Sequence, residues 1–182
     1  MVVRSLALVT LALTSCGGGL PAEVPRLPSF DATRLDGEWR VLATTFPMWK
    51  DGKKTRPRFV YRSYRDGDAL RLDDTVAFVA RGKPDTIEGI DTQDPGFPSH
   101  FTWRGKGVLR LFTSEWVIVA VGADARWIAL YFTATIATPE GVDIIGRAPH
   151  LAPEDRAAVD RLLAGDPFVQ AKARGLVWLP PW

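Results

Sequence analysis

Short runs of alternating apolar and polar residues, separated by turn residues, fill most of the chain from Gly37 to Arg147. Successive side chains of a β-strand point to opposite faces, so this alternation predicts a series of strands that each have one apolar face. In the first of them, Trp39, Val41 and Ala43 share a face. Many short strands at this spacing are typical of an all-β barrel or sandwich.

Glycine, proline and aspartate residues between the alternating runs set the bounds of the later strands. The segment 91–96 is rich in carboxylates, but it lacks the regular ligand spacing and the terminal glutamate of a calcium-binding loop. We therefore interpret it as a turn and assign no metal site. The later strands are predicted at residues 56–64, 69–81, 86–91, 100–104, 108–112, 116–121, 126–135, 142–147 and 176–179.

Large apolar side chains recur at alternate positions of these strands. Alternation shows which side chains share a face, but it does not show which face is turned inward. We take the more apolar face as the inner one and expect it to line a ligand cavity. The predicted lining residues are Phe59, Tyr61, Leu72, Val76, Phe78, Phe101, Trp103, Ile128, Leu130 and Phe132.

The period changes after the last of the long strands. Residues 153–163 place Val159, Leu162 and Leu163 on one side of a helix, with charged residues elsewhere. Pro153 suits the first turn of this helix, and a second short helical segment follows it. The mixed charges of the helix favour packing against the sheet over the alternative, a position on a membrane surface.

The chain begins with a basic Arg4 and an apolar run over residues 6–13, which is the pattern of a signal peptide. The run is too short to span a bilayer, which needs about 20 apolar residues. The next residues, Leu13-Thr14-Ser15-Cys16, resemble a bacterial lipobox, whose cysteine is lipidated and becomes the mature N-terminus. We predict a signal peptide at 1–15 and a lipid anchor on Cys16, the chain's single cysteine. The alternative is a simple secretory signal with an incidental cysteine.

Glycines and prolines dominate residues 17–28, so the segment 16–34 is predicted to be a flexible tether between the lipidated terminus and a domain at 35–182. A lipid-anchored protein of this kind belongs to the cell envelope. In the lipoproteins that the motif resembles, a residue such as Gly17 after the cysteine does not cause retention at an inner membrane. We therefore expect an outer-membrane protein facing the periplasm, if the host has an outer membrane.

Composition and charge limit the functional classes. The chain has 182 residues, of which 46% are hydrophobic, so one domain with a sizeable core is expected. A domain of about 150 residues buries roughly 68–70% of its unfolded surface and needs no disulfide or metal to be stable. The 23 basic and 21 acidic residues are interspersed, and the net charge of +2 gives no footprint for nucleic acid. We exclude nucleic acid as a partner.

The segment Gly37-Glu38-Trp39 resembles the G-x-W signature of the lipocalins, which are barrels that carry small apolar ligands. The C-terminal third, with Arg147 before a proline, a helix and a V-W-x-P ending near Trp178, resembles bacterial lipoprotein lipocalins and their apolipoprotein D-like relatives. A second lipocalin motif, T-D-Y, is represented at most by Asp124. The order of elements covers nearly the whole mature chain, although the middle is only loosely similar.

This resemblance implies an eight-stranded antiparallel up-and-down β-barrel with a C-terminal α-helix packed outside. It implies that Trp39 lies near the closed end with Arg147 across its ring, and that Gly37, Trp39 and Arg147 are structural residues. It also implies a carrier, without cofactor, that binds a fatty acid such as palmitate, a lysophospholipid or another lipid for transport or storage. We expect a monomer or weak dimer.

Catalytic motifs are not evident in the sequence. His100 and His150 are not joined by a motif to a serine or a metal ligand, and Asp73 and Asp74 would point to opposite faces of a strand. Some lipocalin relatives are enzymes, including ones with a cysteine nucleophile, but Cys16 is committed to the anchor. We therefore predict that the protein is not an enzyme.

Two alternatives to a carrier stay open: an enzyme that acts on a lipid-like substrate, and an envelope interaction protein whose barrel is filled by its own side chains. A buried acid or histidine beside the cavity would favour catalysis. A solid core would favour the interaction protein.

Overall fold

A computed structural model describes residues 19–182, in which eight antiparallel strands pair in chain order. The first strand pairs with both the second and the eighth, so the sheet closes into a barrel. A short ninth strand pairs with the first. The predicted signal peptide and Cys16 lie outside the described residues. The strands are β1 (Gly37–Thr44), β2 (Lys54–Asp66), β3 (Ala69–Ala80), β4 (Lys83–Asp94), β5 (Phe97–Gly105), β6 (Thr113–Val121), β7 (Trp127–Phe132), β8 (Gly141–Gly146) and β9 (Val177–Trp178).

Three α-helices accompany the barrel: α1 (Pro47–Lys50), α2 (Pro153–Gly165) and α3 (Pro167–Lys172). The predicted fold class, an eight-stranded barrel with a C-terminal helix outside it, is confirmed. Each of the three helices has a proline in its first turn, where the missing N–H costs no hydrogen bond.

One predicted strand, 108–112, is wrong. Residues 107–109 form a short 3₁₀ helix, and the side chains of Val108 and Leu111 are 92% and 84% exposed. Gly107 adopts a φ of +56°, which turns the chain back, and the Leu109 carbonyl lies where a Cβ on Gly105 would stand. An apolar run alone therefore did not make a strand here, because the backbone turned before it could pair.

The interpretation of residues 91–96 as a turn is also wrong in its first part. Strand β4 continues to Asp94, and Asp91 pairs with Trp103 on β5. Pairing on both sides of β4 outweighs the turn preference of aspartate. As a result Asp91 is fully buried on the inner face of the barrel.

One end of the barrel is closed by the residues around Trp39. Its indole Nε1 donates a hydrogen bond of 2.6 Å to the carbonyl oxygen of Leu35 in a preceding 3₁₀ helix. The Arg147 guanidinium carbon lies 3.7 Å from the centroid of the Trp39 ring system. Arg147 also donates to the carbonyl oxygens of Glu38 and Arg34, at 3.1 and 2.9 Å. These contacts hold the 3₁₀ helix across the end of the barrel.

Helix α2 lies outside the barrel and is fixed there by both packing and charge. Val159 of α2 and Val169 of α3 are fully buried in an outer cluster with Val117 of β6. Arg126, just before β7, donates two hydrogen bonds to Asp155, Nε to Oδ2 at 2.7 Å and Nη2 to Oδ1 at 2.9 Å. Within residues 19–182 no helix combines the length and the apolar character that crossing a membrane requires.

Part of the segment predicted as a tether packs against the barrel. Val24 is 3% exposed within the outer cluster, and the Arg26 guanidinium carbon lies 4.6 Å from the centroid of the Phe97 ring. The backbone N–H of Leu27 donates to the Ser99 hydroxyl at 3.3 Å. Leu20 also packs against this cluster, so from Leu20 onward the segment is part of the folded unit.

Candidate functional site

All ten residues predicted to line a cavity face the interior of the barrel. Eight belong to the buried interior cluster, while Trp103 and Phe132 are partly buried against it. The interior therefore contains the predicted apolar face, but this placement does not test whether these residues bind a ligand. Their binding role stays a prediction.

The interior next to Trp39 is filled by the protein's own side chains. Leu72, Ile118 and Ile128 are fully buried there. The rings of Phe101 and Trp116 stack with their centroids 4.3 Å apart. This part of the barrel is a packed core.

Above this core the interior opens into a cavity of about 160 Å³, toward the end where α1 lies. Four of the ten predicted lining residues reach it, namely Phe59, Val76, Trp103 and Phe132. The remaining predicted residues, which do not line this cavity, are Tyr61, Leu72, Phe78, Phe101, Ile128 and Leu130.

The walls of the cavity are mainly aromatic. Phe59 and Phe132 stack at a centroid distance of 6.1 Å, and Trp116 lies 6.2 Å from Phe132. Phe46, just before α1, meets Phe132 edge-on at 5.5 Å, and Trp49 of α1 adds a further ring. These five rings come from four different elements of the chain.

Three buried aspartates also face the interior, and sequence reasoning did not assign them to the site. Asp74 of β3 and Asp143 of β8 line the cavity, with exposures of 4% and 1%. Asp91 of β4 is a diagonal neighbour of Asp74 on the same face, because Asp74 pairs with Gly89, two residues before Asp91. A carboxyl oxygen of each, Asp74 Oδ1, Asp91 Oδ2 and Asp143 Oδ1, is buried without a hydrogen-bond partner in the part of the chain that the structure describes.

Strand alternation separates Asp74 from its neighbour Asp73. The Asp73 carboxylate lies on the outer face, where it accepts hydrogen bonds from Arg62 and Lys106 at 2.9 and 2.8 Å. Asp74 shares its face with Leu72 and Val76 inside the barrel. A carboxylate on an otherwise apolar face was the sequence signal that could have identified Asp74.

Burial controls the ionisation of the interior carboxyls. Loss of hydration raises the pKa of Asp91 and that of Asp143 to about 7, and hydrogen bonds from Trp116 and Thr44 respectively offset part of this rise. Burial, reinforced by the charge of Asp91, raises the pKa of Asp74 well above its ordinary value. Burial also raises the pKa of Tyr61, and the three aspartates add to the shift. The barrel interior thus contains two carboxyl groups, Asp91 and Asp143, that change charge near neutral pH.

The two histidines lie away from this cavity. The His100 Nδ1 atom lies 3.2 Å from the Asp94 carboxylate, at the β4–β5 hairpin, and His150 is exposed before α2. Among residues 19–182, no three His, Cys, Asp or Glu side chains are placed so that they could hold a metal ion.

The barrel is similar to three solved structures. Insecticyanin from the tobacco hornworm Manduca sexta is 16% identical, with a TM-score of 0.66, over 89% of this chain and 86% of that one. Apocrustacyanin C2 is 15% identical, with a TM-score of 0.60, over 90% of this chain and 93% of that one. Lobster apocrustacyanin A1 is 18% identical, with a TM-score of 0.55 and the same coverage as apocrustacyanin C2.

The sequence matches no protein-family model, and no curated protein sequence is significantly similar to it. At identities this low, the structural likeness shows a lipocalin fold, and function has to be argued from this chain's own cavity.

Proposed function

We propose that the protein is a carrier that binds a small apolar or amphipathic molecule inside its barrel, for transport or storage in the cell envelope. The observation that supports this most directly is the cavity of about 160 Å³ above the packed core, walled by aromatic rings. Small-molecule sites are typically concave and mostly apolar, with a few placed polar groups. The lipocalin fold is compatible with this role because eight-stranded barrels can enclose one small ligand.

The size of the cavity suits a compact ligand. An engineered protein cavity of about 150 Å³ binds benzene. A fatty acid or lysophospholipid would fill this cavity with one end only, and the rest would pass Met48 and Trp49 of α1 at the rim. We therefore favour a compact molecule, or a compact group at the end of a longer one.

We further propose that a lipid on Cys16 holds the protein at an envelope membrane. The support is the lipobox-like sequence before Cys16 and the glycine-rich segment after it. Because the chain packs onto the barrel from Leu20, residues 17–19 act as the spacer, which reaches about 10 Å if fully extended. The barrel would thus stay close to the membrane surface.

The anchor is tested by fractionation. Cys16→Ala should move the protein from the membrane fraction to the soluble fraction, and Ser15→Ala, which keeps a small residue before the cysteine, should not. If Cys16→Ala leaves the fractionation unchanged, the anchor proposal is wrong.

Carriage is tested by native mass spectrometry of the purified protein and by extraction of bound small molecules. We expect a non-covalent adduct at one molecule per chain, and quenching or a shift of tryptophan fluorescence that saturates when the recovered compound is added back. A protein that carries no adduct and shows no saturable titration with any compound would instead support the interaction protein with a filled barrel.

Catalysis is a second candidate, favoured by the buried acids Asp74 and Asp143 beside the cavity. A carboxyl whose pKa burial raises to about 7, as for Asp143, is suited to general acid or base chemistry. The test is to incubate the recovered compound with the protein and with Asp143→Asn, and to compare the products by mass spectrometry. Chemical change with the wild type that is lost in the variant would show an enzyme, whereas unchanged compound supports the carrier.

A further inference from the structure

We propose that the cavity recognises a positively charged organic group, an ammonium attached to a compact apolar body, which the carboxylates of Asp74 and Asp143 meet from two walls of the barrel. This inference rests on the proposed function, because it assumes that a small molecule enters the barrel. It adds the chemical class of that molecule.

The first observation is that each interior carboxyl has one oxygen without a hydrogen-bond partner in the described part of the chain. Asp74 and Asp143 are more than nine-tenths buried, line the cavity and each hold an oxygen without a hydrogen-bond partner within residues 19–182. Burial of such a group without a partner costs free energy, so buried polar atoms in proteins are nearly always satisfied. A bound molecule that supplies a cation or a donor would satisfy them.

The second observation is that, in the described part of the chain, no basic side chain makes an ion pair with Asp74, Asp91 or Asp143. The charge of Lys106 lowers the pKa of Asp74 only through space, since its Nζ donates to Asp73 on the outer face. Tyr61 also faces the carboxyls, but as a neutral phenol whose pKa is raised. The interior therefore carries acid groups that the chain itself does not neutralise.

The third observation is the aromatic wall. Phe59, Trp116 and Phe132 line the same cavity as Asp74 and Asp143. Phe59 stacks on Phe132 with the centroids 6.1 Å apart, and Trp116 lies tilted against Phe132 at 6.2 Å. The negative face of an aromatic ring attracts a cation, and such rings form the sites that recognise quaternary ammonium groups. The protein shows this contact with its own Lys54, whose Nζ lies 4.8 Å from the centroid of the Phe78 ring.

Other ligand classes fit this site less well. A fatty acid would bring a carboxylate to carboxylates, and like charges at close range repel each other. A purely apolar molecule would bury Asp74 and Asp143 further and leave their oxygens unpaired. A tertiary or quaternary ammonium next to an aryl or short alkyl group satisfies both the acid groups and the rings.

The test compares three probes that have one shape and different charges: phenyltrimethylammonium, its neutral isostere tert-butylbenzene, and the anion benzenesulfonate. Each probe is titrated into the full chain in micelles of an uncharged maltoside detergent at pH 8, with empty micelles as the blank. Tryptophan fluorescence is the readout, since Trp103 and Trp116 line the cavity. We expect the cation to bind at least tenfold more tightly than tert-butylbenzene, and benzenesulfonate not to saturate.

The affinity for phenyltrimethylammonium should fall several-fold between pH 8 and pH 5, as the carboxyls take up protons, whereas that for tert-butylbenzene should not fall. The titratable groups that face Asp74 and Asp143 are Tyr61, Asp91 and, from outside, Lys106. Burial raises the pKa of Asp91 and that of Asp143 to about 7, so both change charge in the same direction in this range. Binding of the cation should therefore release protons, which calorimetry in buffers of different ionisation enthalpy measures.

Variants separate a direct role from a structural one. Asp74→Asn and Asp143→Asn should each remove most of the preference for the cation while binding of tert-butylbenzene is kept. Asp73→Asn changes the adjacent carboxylate, which faces outward, and should leave the preference intact. Binding of tert-butylbenzene also reports whether each variant is folded.

The outcomes distinguish this inference from the proposed function. If the cation and its neutral isostere bind equally, or benzenesulfonate binds best, the cationic ligand is wrong and the carrier role stands. If no probe saturates but a compound is recovered from the protein by extraction, the cationic ligand is again wrong and the carrier role stands. If no probe saturates and nothing is recovered, both are overturned.

Discussion

The indole Nε1–H of Trp116 donates a 2.7 Å hydrogen bond to Oδ1 of Asp91 inside the barrel, while Asp91 Oδ2 has no partner in the described chain. Trp116 is at once the ring that stacks on Phe101 in the packed core and a wall of the cavity above it. The orientation of this wall therefore depends on a buried acid. A hydrogen bond to a charged acceptor is stronger than a neutral one, so the protonation of Asp91 and the position of Trp116 are linked.

This relationship predicts an unusual dependence of stability on pH. A carboxyl whose pKa is raised on folding keeps its proton in the folded chain, while the unfolded chain loses it near pH 4. The stability is fully present below pH 4 and is lost as the pH rises through the folded pKa, about 7 for Asp91 and for Asp143. From pH 5 to pH 8 we expect the free energy of unfolding to fall, by a few kcal/mol in order of magnitude.

Asp91→Asn should flatten that fall and make the protein more stable than the wild type at pH 8, because the asparagine carbonyl can still accept from Trp116. Urea unfolding at pH 5, 6.5 and 8 measures this directly. Asp94→Asn is the control, because the pKa of the Asp94 carboxyl is lowered and this carboxyl therefore does not titrate between pH 5 and pH 8. If Asp91→Asn and the wild type lose equal stability between pH 5 and pH 8, burial does not control the ionisation of Asp91.

A second prediction concerns the glycine beneath Trp103. Gly89 of β4 pairs with Asp74, and a Cβ on Gly89 would lie 2.0 Å from Nε1 of Trp103. Gly89→Ala must displace that ring, so we expect a loss of stability of about 1–3 kcal/mol. We also expect at least tenfold weaker binding of any cavity ligand, measured with tert-butylbenzene.

The matched control is Gly96→Ala in the β4–β5 turn. There the nearest atom to a new Cβ is an Asp94 carboxyl oxygen at 3.5 Å, which is an ordinary contact. Thermal unfolding and ligand titration should give values close to those of the wild type. Equal effects of the two substitutions would show that Gly89 has no special role under Trp103.

More of the fold than of the candidate site could be predicted from the sequence. Alternation in the strands and the change of period at α2 depend on local sequence, so the shared face of Phe59 and Tyr61 on β2 could be predicted. The error at 108–112 arose because an apolar run becomes a strand only if it finds a pairing partner. The pairing partner of a strand depends on residues that are distant in the sequence, so a local pattern does not reveal it.

The interior acids were missed for a related reason. Asp91 and Asp143 look like ordinary turn or strand aspartates until the barrel closes, and only then do β4 and β8 turn them toward its interior. Asp74 offered a local signal, but the alternation of Asp73 and Asp74 was used only to exclude a convergent pair of carboxylates. The order and register of the strands in the closed barrel decide which charged side chains come together inside it.

A third prediction tests how the helix is held against the barrel. Val159 of α2 is fully buried in the outer cluster, so Val159→Ala removes two methyl groups from a packed site. We expect a loss of about 1.5–2.5 kcal/mol, from lost transfer free energy and a residual cavity. Val108→Ala is the same substitution at a side chain that is 92% exposed, and it should stay within about 0.5 kcal/mol of the wild type. Urea unfolding with equal losses for both would contradict the burial of Val159.

The last prediction concerns the closed end, where Arg147 lies over Trp39. Arg147→Ala removes the cation–π contact, worth about 0.5–2 kcal/mol, and the hydrogen bonds to the carbonyl oxygens of Glu38 and Arg34. Arg147 is partly open to water, so we expect a total loss near 2 kcal/mol, from about 1 kcal/mol for each kind of contact.

Arg147→Lys keeps the charge but not the planar fork that reaches both carbonyl groups, and should give an intermediate loss. The cavity lies on the far side of the packed core, so ligand affinity should change by less than twofold in both variants while urea unfolding changes. If affinity fell together with stability, the two ends of the barrel would be coupled, and Arg147 would have more than a structural role.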